Sequence, residues 1–227
     1  MTVEFSDIWA ARANITKGAV RSPLVPSPFM SRIAGHDFFL KLETAQPIGA
    51  FKIRGATNAL VNLPEGTAGV TCCSTGNHGR AVAYAAKALG LRAVVCMSSL
   101  VPVAKVDGIR ALGADVRIVG SSQDDAQAES SRLAREEGLM EVPPFDNARV
   151  IAGQGTIGIE LLEDCPDLQT ILVPLSGGGL AAGIALAAKQ IKPGIRVIGV
   201  TMDRGAAMYQ SIRAGKPVAV EGVPSLA

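Results

Sequence analysis

Short, uniformly apolar runs alternate with longer stretches of helical period along most of this chain. Residues 69–73, 92–97, 115–119, 139–142, 170–175 and 196–200 read as strands. Between and after them the pattern predicts helices over 77–89, 103–112, 124–137, 180–191 and 206–214. Residues 148–163 share that pattern, although Gly153, Gly155 and Gly158 weaken it. Strands of this kind alternating with helices predict an α/β fold with parallel sheets covered on both faces. Gly90, Gly113 and Gly138 fall where helices end and suit left-handed caps.

The first third is less regular. A short helix is expected over 7–15, with Ser6 as its cap. Residues 21–26 must be extended, because Pro23 and Pro26 push their predecessors out of helical geometry. A helix over 29–34 and a strand over 37–43 follow. The turn Gln46-Pro47-Ile48-Gly49 then opens a helix that carries Lys52 and ends near Leu63, before Pro64-Glu65-Gly66. Pro143-Pro144 is the strongest internal breaker and a candidate hinge. The closing run Val223-Pro224-Ser225-Leu226-Ala227 reads as an extended tail, either a disordered end or the entry to a segment this chain lacks.

Composition narrows the function classes. The 227 residues are 48% hydrophobic, enough for a large core or two modest domains. A net charge of +2 without a basic block, and 4% aromatics, point away from nucleic acid. No apolar run is long enough to span a bilayer, and the N-terminus lacks the pattern of a secretory signal. Cys72, Cys73, Cys96 and Cys165 form no Cys-x-x-Cys pair and read as reduced thiols in a cytoplasmic protein. With only His36 and His78 as histidines, no zinc cluster is expected.

Three stretches carry candidate chemistry. Lys52 sits at a strand-to-helix junction beside Phe51, an arrangement suited to a Schiff base with a carbonyl cofactor. Alone, it reads more readily as a solvated helix lysine. Ser74-Thr75-Gly76-Asn77-His78-Gly79 offers hydroxyls, an amide and helix N-terminal N–H groups to a small anion such as a carboxylate; its plain alternative is a capping turn. Ser176-Gly177-Gly178-Gly179-Leu180 lets the backbone wrap a phosphate at a helix start; its plain alternative is a tight turn. Gly177, Gly179 and Ala182, with Asp203 after the next strand, also match a short dinucleotide fingerprint. That reading leaves Lys52 and the Ser74 loop unused. Lysine, carboxylate loop and phosphate cup together describe pyridoxal 5′-phosphate and an amino acid.

With these motifs the chain resembles the fold-type II pyridoxal-phosphate enzymes of the threonine dehydratase and serine racemase family. The run from Leu42-Glu43 through Phe51-Lys52-Ile53-Arg54-Gly55-Ala56, the Ser74 and Ser176 loops, and Ala152-Gly153-Gln154-Gly155-Thr156 are similar to family motifs in order and spacing. The resemblance implies the two-lobed tryptophan synthase β-like fold, with 69–142 as a small mobile lobe and 1–68 with 143–227 as the cofactor lobe. It implies Lys52 as the Schiff-base lysine and Phe51 against the cofactor ring. Asn77 bonds the 3′-oxygen, and Ser176, Gly177, Gly178, Gly179 and Leu180 hold the phosphate. Ser74, Thr75, Gly76, Asn77 and His78 surround the substrate carboxylate. Lys52 and Thr75 are the implied catalytic residues, and the reaction takes a small β-hydroxy amino acid to a 2-oxo acid and ammonia.

Ala50, Thr75 and Val94-Val95-Cys96-Met97-Ser98 resemble the branch of ectoine and hydroxyectoine utilisation. Thr75 stands where racemases carry serine, which favours elimination. Thr201 and Ala207 replace the acidic ligands of the racemase cation site, so no metal is expected. Family members extend past Ala227 and supply there a partner for the pyridine nitrogen, so the chain reads as C-terminally truncated. No nucleic-acid or membrane partner is implied, and a homo-oligomer is compatible. The alternatives are a racemase, a hydroxyectoine-catabolism dehydratase, a non-catalytic remnant and, outside the family, a nucleotide-binding oxidoreductase.

Overall fold

The computed structural model describes residues 2–74 and 76–220. Thr75 and the tail at 223–227 lie outside the described residues. The chain begins with α1 (Phe5–Ile15), β1 (Leu24–Pro26), α2 (Pro28–Ala34), β2 (Phe39–Lys41), a 3-10 turn (Glu43–Ala45) and α3 (Lys52–Val61). A regular alternation follows: β3 (Val70–Cys73), α4 (Asn77–Ala88), β4 (Ala93–Met97), α5 (Val103–Ala111), β5 (Asp115–Ile118), α6 (Gln123–Glu137) and β6 (Met140–Glu141). Then come α7 (Ala148–Asp164), β7 (Thr170–Pro174), α8 (Gly179–Ile191), β8 (Arg196–Val200) and α9 (Ala207–Ala214).

The alternation builds a four-stranded parallel sheet in the order β5-β4-β3-β6, with Cys72 opposite Val95 and Val95 opposite Val116. Every residue of β3 and β4 is buried, the burial expected of central parallel strands. β7 and β8 form a second parallel pair. Only one of its faces is covered among the described residues: Ile171 and Val173 are buried, whereas Leu172, Ile198 and Val200 are exposed. The expected two-sided cover therefore holds for the larger sheet and not for this pair. β1 and β2 depart from the parallel expectation, pairing antiparallel with Leu24 opposite Lys41.

Local chemistry explains the boundaries. Gly90, Gly113 and Gly138 all take positive φ (68°, 89° and 68°) at helix ends, as the sequence implies. The first helix starts earlier than expected and Ser6 does not cap it. Glu4 holds that position, its N–H donating to the Asp7 carboxylate at 3.0 Å. The strand expected over 37–43 shortens to Phe39–Lys41 because the chain turns at Glu43, whose carboxylate accepts from Arg54 Nε at 2.9 Å.

α7 is the central post, with α3, α1 and α8 packed around it. Its glycines weaken an isolated helix, yet here they allow close approach. A Cβ on Gly153 would stand 2.6 Å from the Arg54 carbonyl and 2.7 Å from Gly55 Cα. A Cβ on Gly183 of α8 would stand 2.7 Å from the Gly155 nitrogen. The helix is retained because burial of Val150, Ile157, Ile159 and Leu161 outweighs the propensity cost of about 1 kcal/mol per glycine.

A buried ionic network ties α3 to this post. Arg54 is 0% exposed and donates to Glu160 at 2.6 and 2.9 Å, to Glu43 at 2.8 and 2.9 Å and to Thr156 at 3.1 Å. Lys41 adds an ion pair to Glu160 at 2.8 Å. Burial opposes the Arg54 charge, but Glu160 and Glu43 outweigh it and hold the guanidinium above its ordinary pKa. The network fixes the helix turn two residues after Lys52.

Candidate active site

The turn before Lys52 is pinned from both sides. Ile48 and Ala50 are buried, and Gly49 takes φ 70° while its N–H donates to the Gln46 carbonyl at 2.7 Å. α3 then starts at Lys52. The Lys52 ammonium donates to the Pro144 carbonyl at 2.6 Å and lies 5.4 Å from the Phe51 ring centroid. No ion pair holds it among the described residues, and burial pulls its pKa below the ordinary lysine value. A desolvated amine without a carboxylate partner is primed to lose its proton and act as nucleophile or base. Phe51 itself packs against the cluster around Ile157, Leu161 and Val173.

The Ser74 loop joins β3 to α4. Ser74 Oγ accepts from the Gly76 N–H at 3.3 Å, and α4 begins at Asn77. First-turn N–H groups lack intrahelical partners, so this end suits an anion. Asn77 is exposed and Ser74 half-buried. His78 is only 3% exposed and turns inward: its Nε2 donates to the Val142 carbonyl at 2.7 Å, while Nδ1 has no partner among the described residues. Burial, with the nearby Lys52 charge, pushes the imidazole down to about 4, against the raising effect of the Val142 bond. His78 is therefore neutral at pH 7, with its hydrogen on Nε2.

The glycine loop joins β7 to α8. Gly178 stands at the helix cap with φ 89°, a conformation that L side chains rarely adopt. A Cβ on Gly179 would lie 2.7 Å from the Phe145 carbonyl, and one on Gly177 would collide with the Phe145 ring. No hydrogen bond occupies the N–H groups of Gly178 or Gly179 among the described residues. They remain available to a phosphate, with the α8 dipole behind them.

One short strap connects all three motifs. Within residues 142–145, Val142 accepts from His78, Pro144 accepts from Lys52, and Phe145 packs on Gly177 and Gly179. Val142, Pro144 and Phe145 were not candidates from sequence. Two of them act through backbone carbonyls, which carry no residue signature; the Pro-Pro pair was the only available signal. Beside the Ser74 loop, a cavity of about 620 Å³ opens between α4 and α5, bordered by Asn77, Arg80 and Lys105.

A neutralisable lysine, free N–H groups at a helix start and a glycine cup without room for side chains fit the aldehyde and phosphate of pyridoxal phosphate. The comparisons with known proteins agree. Residues 15–227 match the family described as "Pyridoxal-phosphate dependent enzyme". A Sinorhizobium fredii protein named "Putative threonine dehydratase" is 56% identical over 99% of this chain and 68% of its own length. The structure of processed threonine deaminase isoform 2 from Solanum lycopersicum superposes with a TM-score of 0.93 at 37% identity, covering 97% of this chain and 61% of that one. Maize serine racemase superposes with a TM-score of 0.94 at 35% identity, over 99% and 69%. The chain thus spans roughly two thirds of the length of these relatives. These matches set the dinucleotide reading aside: the chain belongs to the pyridoxal-phosphate dependent enzymes of fold type II.

Proposed function

We propose that this chain carries the lysine, substrate loop and phosphate cup of a dehydratase, or ammonia-lyase, for a small β-hydroxy amino acid. The products are a 2-oxo acid and ammonia. The observation that carries the reading is the desolvated Lys52 amine, joined through one strap to both anion-type loops. The names of the dehydratase and deaminase relatives support the reaction class.

Pyridoxal phosphate, when bound, supplies an electron sink that makes the substrate Cα–H bond acidic. Lys52 would hold the aldehyde group of that cofactor, and its Nζ, when free and neutral, would take the substrate Cα proton. Its lowered pKa raises the neutral fraction available for that step. Gly177, Gly178 and Gly179, flanked by Ser176 and Leu180, would hold the phosphate. Phe51 would lie against the cofactor ring and Asn77 would hold its 3′-oxygen. Ser74, Gly76, Asn77 and Thr75 receive the substrate carboxylate; Thr75 lies outside the described residues. His78 contributes from within, since its donor is already committed to Val142. We assign residues 69–142 to the small mobile lobe and 1–68 with 143–227 to the cofactor lobe. Free cysteines, three of them buried, suit a reducing cytoplasm.

Racemisation is the second reading, favoured by the likeness to maize serine racemase. The narrower role in hydroxyectoine breakdown rests on Ala50, Thr75 and the run from Val94 to Ser98.

Borohydride reduction of the purified chain with added pyridoxal phosphate, followed by peptide mass mapping, tests the cofactor lysine. A pyridoxyl adduct confined to the Lys52 peptide, and absent in Lys52→Ala, is the expected result. A folded sample without that adduct refutes the assignment. Incubation with L-serine and L-threonine, with 2-oxo acid and D-enantiomer measured together, separates elimination from racemisation.

A further inference from the structure

We infer that His78 is a positioning residue for Lys52, acting through the strap of residues 142–145. The inference rests on the reading of Lys52 as the cofactor lysine, but its geometry stands apart from the cofactor. His78 and Lys52 share no hydrogen bond. His78 Nε2 donates to the Val142 carbonyl at 2.7 Å, and two residues later the Pro144 carbonyl accepts from Lys52 Nζ at 2.6 Å. Pro143 and Pro144 have fixed φ values, so the two carbonyls are joined by a stiff connector. The strap ends at Phe145 on the glycine loop. The Val142 N–H donates to the Thr71 carbonyl at 2.9 Å, and the His78 donor on α4 adds a second tie at the Val142 carbonyl, the one nearer the prolines of the segment that covers the lysine.

The chemistry of His78 suits an anchor rather than a proton carrier. It is 3% exposed, and its only hydrogen-bonding partner among the described residues is the Val142 carbonyl. A neutral imidazole with its hydrogen on Nε2 donates that bond across the neutral pH range. Burial first, and the nearby Lys52 charge last, hold the imidazole neutral beside the amine. Releasing the strap exchanges the Pro144 carbonyl for water, which accepts equally well, and re-solvates an amine now held low by burial.

The experiment reads the amine directly in the cofactor-free chain. Trace acetylation of Lys52 across alkaline pH, quantified by peptide mass spectrometry, gives the midpoint of its deprotonation independently of reagent access. In the wild-type chain the midpoint is expected below the ordinary lysine value of 10.5. His78→Leu fills the site without a donor and is expected to raise the midpoint by about one pH unit. That is about tenfold less neutral amine at pH 7. His78→Gln, which returns an N–H near the Nε2 position, is expected to restore the low midpoint. A folded His78→Leu chain with an unchanged midpoint overturns the inference, as does a Gln variant that behaves like Leu. Should His78→Leu fail to fold, Pro144→Gly loosens the same strap and is expected to raise the midpoint; an unchanged value there also overturns it. Absence of a pyridoxyl adduct on wild-type Lys52 refutes the cofactor reading alone and leaves this measurement interpretable.

Discussion

Replacing Glu160 by Gln probes the network that sets the helix carrying Lys52. The Glu160 side chain is 9% exposed and takes two bonds from Arg54, at 2.6 and 2.9 Å, and one from Lys41 at 2.8 Å. Removing one partner of a buried ion pair costs about 3–5 kcal/mol, mostly by stranding the remaining charge. Gln keeps the shape and one acceptor. Arg54 keeps Glu43, and Lys41 keeps the Ser22 carbonyl at 2.7 Å. The expected loss is therefore about 2–4 kcal/mol, below the full penalty. Urea unfolding followed by circular dichroism measures it, as a lower midpoint with an unchanged slope. The pH dependence fixes the cause. Burial works against the Glu160 carboxylate, but the bonds from Arg54 and Lys41 outweigh it and hold its pKa below 4.5. Its contribution is thus present above about pH 4.5 and lost as pH falls through the folded value. The gap between wild type and Glu160→Gln should be widest near neutrality and close on acidification. A gap under about 0.5 kcal/mol at pH 7, the size of an exposed pair, refutes the buried-network argument. So does a gap that survives full protonation.

Gly178→Ala forces a side chain into φ 89°, at a cost of about 1–2 kcal/mol. If that conformation aims the N–H groups at a phosphate, pyridoxal phosphate should bind about tenfold more weakly in absorbance titrations; unchanged affinity removes the loop from the phosphate site. Burial raises the Cys72, Cys73 and Cys96 thiols, Cys96 to about 11, so iodoacetamide should modify half-buried Cys165 first in the native chain. Early labelling at Cys72 would contradict the packing of β3.

What the sequence made legible was whatever depends on local pattern. The run around Val94 and Val95 read as a buried strand, and Gly138 as a helix end, because period and backbone freedom are written in the residues themselves. The Lys52, Ser74 and Ser176 stretches were legible as chemistry for the same reason: each concentrates residue types that a plain turn does not need. Gly153 and Gly155 misled in one respect. Read locally they weaken a helix, whereas in the fold they let α3 and α8 approach α7, and no local propensity records the position of a partner. Arg54 shows the same gap. As one charge among 22 basic residues it drew no separate reading, yet it is fully buried, because the fold brings Glu43 and Glu160 to it. The strap was least legible of all. The carbonyls of Val142 and Pro144 are common to every residue, and only the path of the chain gives them acceptor roles. His78 ties these lessons together. Its motif placed it in the substrate loop, and the fold turns its donor away from that loop and onto the segment covering Lys52. A motif thus locates a residue on an element, while the direction of its hydrogen bond decides whether it meets the substrate or positions what does.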